Sequence, residues 1–374
     1  MKVLHVITGL AAGGAETQLE LVLQHTRYPA EVATLYNFGS VGQQIVAKGT
    51  KAYNLGMHSN RQISSVFRLA KLMQRGRYDV VHVHLYRACI YGRVAAWLAR
   101  VPVVVTTEHS IGDEYLEGRR KTWAVRLLYL ATERLSSVTI AVSAKARERL
   151  VSWGVPEEKI RVIPNGLDFG RFTFNPEARS ALRSEFGIPS KGFVIGSVGR
   201  LHPLKRYDLL IKAAVPLLES GGWLLLVGEG QEKLRLQHLA RKAAVDHRTI
   251  FAGERVDIPQ LLSTMDVFVS ASEEETFGLA TLEAVAAGLP VIVAECPALD
   301  GLQVVGVQRV FVDALQLRQA LLDERGRKHR SDKPDEAIRR RYDIQTVAAI
   351  IDDLYEALLA GCYKSSSISS VRGL

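Results

Sequence analysis

Two glutamates in the stretch "EEETFGLATLE", Glu275 and Glu283, stand on either side of a Phe277-Gly278 pair that reads as a turn into a helix. A helix starting at Leu279 aims its first N–H groups outward, where an anion is favoured. Ionised carboxylates flanking that point are pure acceptors, and the groups that need acceptors are hydroxyls. A ligand with a hydroxyl-bearing ring on each side of a diphosphate, a nucleotide sugar, satisfies both demands. Glu273 and Glu274 read as a solvated rim. In "GSVGRLHPLKRYDLL", Arg200 and Lys205 follow a strand end, and two cations there suit a diphosphate. A solvated loop pair is the alternative.

Other residues offer weaker signals. "TGLAAGGAE" places Gly13 and Gly14 between a strand and a helix, where backbone can approach a phosphate, although the spacing is not the dinucleotide GxGxxG pattern. His82 and His84 in "DVVHVHL" share one strand face. Without nearby thiols or a third ligand they read as cleft-lining residues and not as a metal site. Cys89, Cys296 and Cys362 are scattered, which fits a reducing compartment and argues against zinc.

The elements that must position these groups repeat. Runs such as "KVLHVIT", "DVVHVHL" and "VPVVVTTEH" alternate with helical periods, the mark of a parallel sheet covered on both faces. After a Pro- and Gly-rich connection the pattern restarts with "FVIGSVGR", "WLLLVGEG", "TIFAGE", "VFVSAS" and "PVIVAE". The fold class is therefore α/β, with two tandem doubly wound Rossmann-like domains facing a central cleft. We expect a first domain over residues 1–168, a linker at 169–192, a second domain over 193–341, a helix at 342–361 and a disordered tail at 362–374. The opening apolar run is short and broken by His5 and Gly9, so it reads as a strand and not as a secretory signal. Nothing is apolar enough for long enough to span a bilayer.

Charge is uneven. Residues 1–170 hold 22 Lys+Arg and 13 Asp+Glu (22 − 13 = +9), and the remainder hold 26 of each (26 − 26 = 0). A basic first half suggests an anionic partner, such as a phospholipid surface or a phosphorylated acceptor. Nucleic acid is not expected, because no basic stripe with interleaved aromatics accompanies the charge. The block Gly118 to Leu135 reads as an amphipathic surface helix, with a core-packed helix carrying a solvated basic face equally open.

Together, "GGAE", "IPNGLD", "VGRLHPLK", "LVGEG", "FAGERVDIPQLLSTMDVFVSAS" and "ETFGLATLE" resemble the family 4 glycosyltransferases, in family order from about Lys2 to Glu295. The resemblance implies the two-Rossmann-domain GT-B fold, with the terminal helix crossing back to the first domain. It implies a retaining transfer of a sugar from a nucleotide diphosphate sugar, UDP-linked by prior odds, to an acceptor hydroxyl.

Residue by residue, the resemblance places Arg200 and Lys205 on the donor diphosphate and Glu283 on the ribose. Glu275 and the backbone of Phe277, Gly278 and Leu279 hold the sugar. Gly13 and Gly14 form the first-domain loop, His109 lies beside the reacting sugar, and Glu254 and Arg255 lie where backbone holds the nucleobase. His109, Glu275, Arg200 and Lys205 are the expected catalytic set. No metal or other cofactor is expected, since cations and a helix N-terminus can carry the leaving-group charge.

The expected setting is the cytoplasmic face of a bacterial membrane, in polysaccharide or glycolipid assembly with a lipid-linked acceptor. Glycosylation of a small soluble natural product stays open. Epimerase and phosphorylase readings lack their acid–base carboxylates or cofactor lysine. After "PVIVAE" the chain departs from the family, with "CPALDGLQVV" where a Gly-rich turn and an acidic residue are common.

Overall fold

The structure is a computed structural model of the 374-residue chain. It describes residues 1–11, 13–59, 62–109, 115–116, 119–120, 122–310, 313–327, 330 and 335–361. The expected tail at 362–374 lies outside the described residues. The chain forms two compact units, Met1–Leu167 with Tyr342–Leu374, and Asp168–Arg341.

In the first unit, seven strands form one sheet in the spatial order 52–54, 30–34, 3–7, 80–84, 103–108, 138–141, 160–162. All of its pairings are parallel. Strands Val3–Ile7, Val80–His84 and Val103–Glu108 are buried along their whole length, which is why their Val-rich runs show no polar alternation. Helix Ile344–Leu359 lies on this sheet. Its Ile344, Val347, Ile351, Leu354 and Tyr355 share one core with Val3, Val80, Val105 and Ile140.

The chain leaves and re-enters the unit at one point, where Leu167 N–H donates to Tyr342 O (2.6 Å) and Ile344 N–H donates to Leu167 O (3.1 Å). Gly166 is required there, since a Cβ would stand 2.6 Å from Ile344 Cδ1 and 2.9 Å from its Cα.

The second unit repeats the plan with six strands, ordered 249–253, 223–227, 194–198, 267–270, 291–293, 307–309, around a core of Leu, Ile and Val. In both units the strand order reverses beside the first strand. Ligands gather at the carboxyl ends of the strands at such a reversal.

Two sequence expectations change. The stretch 169–192, read as a linker, is part of the second unit. Its helix Pro176–Glu185 is tied down by Arg183, which is 2% exposed, donates to the carbonyls of Thr264, Ser190 and Gly192, and pairs with Asp266 at 2.8 Å. The helix expected from Gly118 begins at Trp123, where the Thr122 hydroxyl accepts from Val125 N–H. Arg119–Arg120 instead pairs antiparallel with Tyr115–Leu116. Among the described residues no helix is long and apolar enough to cross a membrane.

Candidate functional site

In the second unit, strand Val194–Val198 runs out at Gly199, and two loops lock backbone to backbone. Gly199 N–H donates to Val227 O and Leu201 N–H to Glu229 O, both at 2.9 Å. A Cβ on Gly228 would stand 2.1 Å from Gly199 O, and one on Gly230 would stand 2.3 Å from Leu201 O. Between these anchors Arg200 is exposed and has no side-chain partner among the described residues. A fixed backbone with an unspent guanidinium is suited to an arriving anion.

Lys205 is not free in the same way. Its Nζ lies 2.5 Å from Glu275 Oε1, so the cation expected on a diphosphate and the carboxylate expected on a sugar neutralise each other. Arg206, with φ +51°, caps the next helix and pairs with Glu273, so Glu273 is not merely a solvated rim. The Ser272 hydroxyl binds the carbonyls of Leu204 (3.0 Å) and Glu274 (3.1 Å), which ties the two loops together.

Helix Leu279–Ala286 begins where the sequence places it, and no side chain caps its N-terminus. Gly278 precedes it with φ +91°, and a Cβ there would stand 2.5 Å from Cys296 Sγ. The glycine is demanded twice, by conformation and by space. Glu275 N–H donates to Glu295 Oε2 at 3.2 Å, and Ala298 N–H donates to Phe277 O at 2.9 Å. The segment that departs from the family pattern thus buttresses the turn. Burial pushes the Cys296 thiol up to about 12, which makes it a packing group and not a nucleophile.

Glu283 sits one turn into the helix, largely enclosed. That burial raises its carboxyl to about 7, against the opposing pull of Arg171. Glu254 is exposed. Arg255, expected beside a nucleobase, is spent on Asp257 (2.7 and 2.8 Å) and Glu185 (3.0 Å), leaving only backbone to offer at that position.

In the first unit, Gly13 precedes helix Gly14–His25 without a side-chain cap. The Glu16 carboxylate folds against it, 2.3 Å from where a Gly13 Cβ would be. His82 and His84 do not simply line an opening. They are 1% and 4% exposed, beneath helix Ile344–Leu359. His82 bonds the Tyr355 hydroxyl (2.5 Å) and Thr107 Oγ1 (2.6 Å), which spends both of its nitrogens. His5 Nδ1 meets His84 Nε2 at 3.0 Å, and His84 Nδ1 meets His109 Nε2 at 3.2 Å.

His5, His82 and His84 bring one nitrogen each within 4.8 Å of the others. A metal there would have to break these hydrogen bonds, so the donor set fits a ring network better than a cation. Just past His84, Leu85 holds φ +71°, a strained turn of the sort that collects at working sites.

Sequence reasoning missed His5, Gln18, Arg206 and Glu295. His5 had a signal: its strand and the "HVH" strand are parallel neighbours, with His5 directly opposite His82.

The model of Glycosyltransferase Family 4 matches residues 4–171, and the model of Glycosyl transferases group 1 matches residues 178–323. The chain belongs to glycosyltransferase family 4. This family 4 chain is 31% identical over 239 residues to the UDP-Gal:alpha-D-GlcNAc-diphosphoundecaprenol alpha-1,3-galactosyltransferase of Escherichia coli, covering 62% of each. It is 28% identical over 308 residues to the putative glycosyltransferase EpsF of Bacillus subtilis, covering 79% of each. The chain thus spans less than two thirds of the galactosyltransferase. In fold it is similar to Anabaena HepE in complex with UDP and glucose, with a TM-score of 0.84 at 22% identity over 96% of this chain and 100% of that one.

Proposed function

We propose that this family 4 chain transfers a sugar from a nucleotide diphosphate sugar to an acceptor hydroxyl, with retention of anomeric configuration. One observation carries the reading. Arg200 stands unspent at a strand end of the second unit, in the same unit as an uncapped helix N-terminus that Glu275 and Glu283 flank. Breaking the sugar–phosphate bond builds negative charge on the departing diphosphate, which Arg200 and the helix N-terminus meet without reorganising and Lys205 meets once it leaves Glu275.

The reading therefore needs no resident metal or cofactor. Glu283 accepts from the ribose, Glu275 and the backbone of Phe277, Gly278 and Leu279 accept and donate to the sugar, and the leaving phosphate takes the acceptor's proton. Glu254 and Arg255 contribute backbone to the nucleobase. In the first unit, Gly13 and Gly14 offer amides to phosphate, and His109 stands beside the reacting sugar.

UDP is the favoured nucleotide, supported by the names of the E. coli relative and of the HepE complex. A lipid-diphosphate acceptor in cell-surface glycan assembly suits both the basic first half and that relative's name. Screening nucleotide sugars for thermal stabilisation and slow hydrolysis tests the reading. It fails if none stabilises the protein, or if Arg200→Ala leaves nucleotide affinity unchanged.

A second observation favours peripheral contact with an anionic membrane. Helix Trp123–Glu133 buries Tyr129, Thr132 and Glu133, while Trp123 (79% exposed), Leu127 (59%) and Leu128 (48%) face out. The outward face is thus mainly apolar, with Arg126 exposed beside Leu127, and suits insertion among anionic lipid headgroups. Sedimentation with anionic liposomes at low salt should capture the protein, and Trp123→Ser with Leu127→Ser should release it. Equal capture of both forms would refute the role of this helix.

A further inference from the structure

Burial leaves His5, His84 and His109 neutral. It pushes His5 down to about 3 and His109 down to about 4, and it holds His84 well below its usual value with help from the neighbouring rings. A neutral imidazole has one N–H and one bare nitrogen. The His5–His84 and His84–His109 contacts are nitrogen to nitrogen, so each needs one donor and one acceptor.

If His109 carries its proton on Nδ1, His84 must donate from Nδ1, and His5 likewise. If His109 carries it on Nε2, both of the others must be Nε2–H. Any mixed set sets two protons or two lone pairs against each other across 3.0 or 3.2 Å. The three rings therefore share one tautomer, and the choice made at one end is carried to the other.

The far end opens on unspent polar groups. His109 Nδ1 and both amide atoms of Gln18 are buried without a hydrogen-bond partner among the described residues. Gln18 is 4% exposed. Both residues line a cavity of about 20 Å³, together with Thr107 and Asn165. That volume holds one water-sized group, and an amide left unpaired in such a place is costly. Gln18 offers a donor and an acceptor, and the His109 nitrogen adds whichever the shared tautomer dictates.

We propose that His84 and His5 are positioning residues that lock the tautomer of His109, and that His109 and Gln18 form a subsite for a single hydroxyl-sized group, from a substrate or from water. The place of His109 beside the reacting sugar rests on the function proposed above; the lock itself does not.

Imidazole nitrogen NMR of the full chain at neutral pH tests the lock directly. His5, His84 and His109 should show one common tautomer. His5→Leu should leave His109 mixed, and His5→Asn, whose amide nitrogen can stand near the Nδ1 position, should restore it. Mixed tautomers in the wild type overturn the proposal, whatever the fate of the variants. With the donor found by screening, His5→Leu should lower kcat roughly three- to tenfold, the factor expected for one hydrogen bond, and His5→Asn should recover it. Pyrophosphate affinity should not change.

A lock seen by NMR with kcat unmoved would keep the lock and refute His109's role in transfer. Gln18→Leu separates the two sources of the hydroxyl: lower turnover at unchanged Tm marks a substrate group, and lower Tm at unchanged turnover marks water. No change in either overturns the subsite.

Discussion

Replacing Glu275 by Gln should tighten diphosphate binding while slowing transfer, two opposite effects from one substitution. In the free protein Lys205 Nζ is 2.5 Å from Glu275 Oε1, with the side chains 31% and 13% exposed. A diphosphate that takes Lys205 must first open this pair. Surface pairs contribute about 0.2–1 kcal/mol, and this one is more enclosed than most, so the upper end applies: about 1 kcal/mol, or roughly fivefold in Kd. Removing the carboxylate's charge beside an arriving anion acts in the same direction.

Titration calorimetry with inorganic pyrophosphate measures the effect without needing the base or sugar. The gain should shrink at high salt, and in a Lys205→Ala background it should fall to the part that comes from removing the carboxylate's repulsion, since there is no pair to open. Turnover of the true donor should fall about tenfold, because a neutral amide is a poorer acceptor than a carboxylate. Weaker or unchanged pyrophosphate binding in Glu275→Gln would refute the exchange, and turnover near wild type would refute the role of Glu275 on the sugar.

Three further outcomes follow from the geometry. Gly278→Ala should destabilise the second unit by about 1–3 kcal/mol and abolish nucleotide binding, since its φ and the Cys296 sulfur both exclude a Cβ; a wild-type Tm would refute this. The Glu283 carboxyl, raised from 4.5 to about 7 by burial, favours the fold when protonated, so its contribution is complete below the unfolded value and is lost as pH rises through about 7. Glu283→Gln should therefore gain in Tm over wild type as pH goes from 4 to 8, and a gap that does not change with pH would sink the assignment. Tyr355→Phe removes the partner of His82 Nδ1 and should cost about 1–2 kcal/mol in chemical unfolding, whereas a neutral result would mean that His82 is satisfied elsewhere.

Much of the fold was legible because buried parallel strands are spelled as unbroken Val and Ile, and the start of helix Leu279–Ala286 because Phe-Gly before an apolar period is a turn signal. Spacing also put Glu275 and Glu283 on either side of that helix start. It could not show that Lys205 and Glu275 pair with each other, because they lie 70 residues apart and meet only through the fold. Nor could it show that Asp257 and Glu185 take up the Arg255 guanidinium, Glu185 coming from a segment that read as a linker. The outward apolar face of helix Trp123–Glu133 was illegible because an amphipathic period does not say which side is covered.

The helix Ile344–Leu359 makes the first unit discontinuous: its sheet is complete by Val162, yet one wall of its core arrives after the whole of Asp168–Arg341 has been made. On a ribosome, which releases the chain from its N-terminus, the first 167 residues would wait with the apolar sheet face around Val3, Val80 and Ile140 open, while the second unit, contiguous in sequence, can fold as it emerges. The order of synthesis and the order of completion are then reversed. A chain truncated before Ile344 would have a finished second unit and an unfinished first one, so damage at the C-terminus would be felt at the N-terminal histidines.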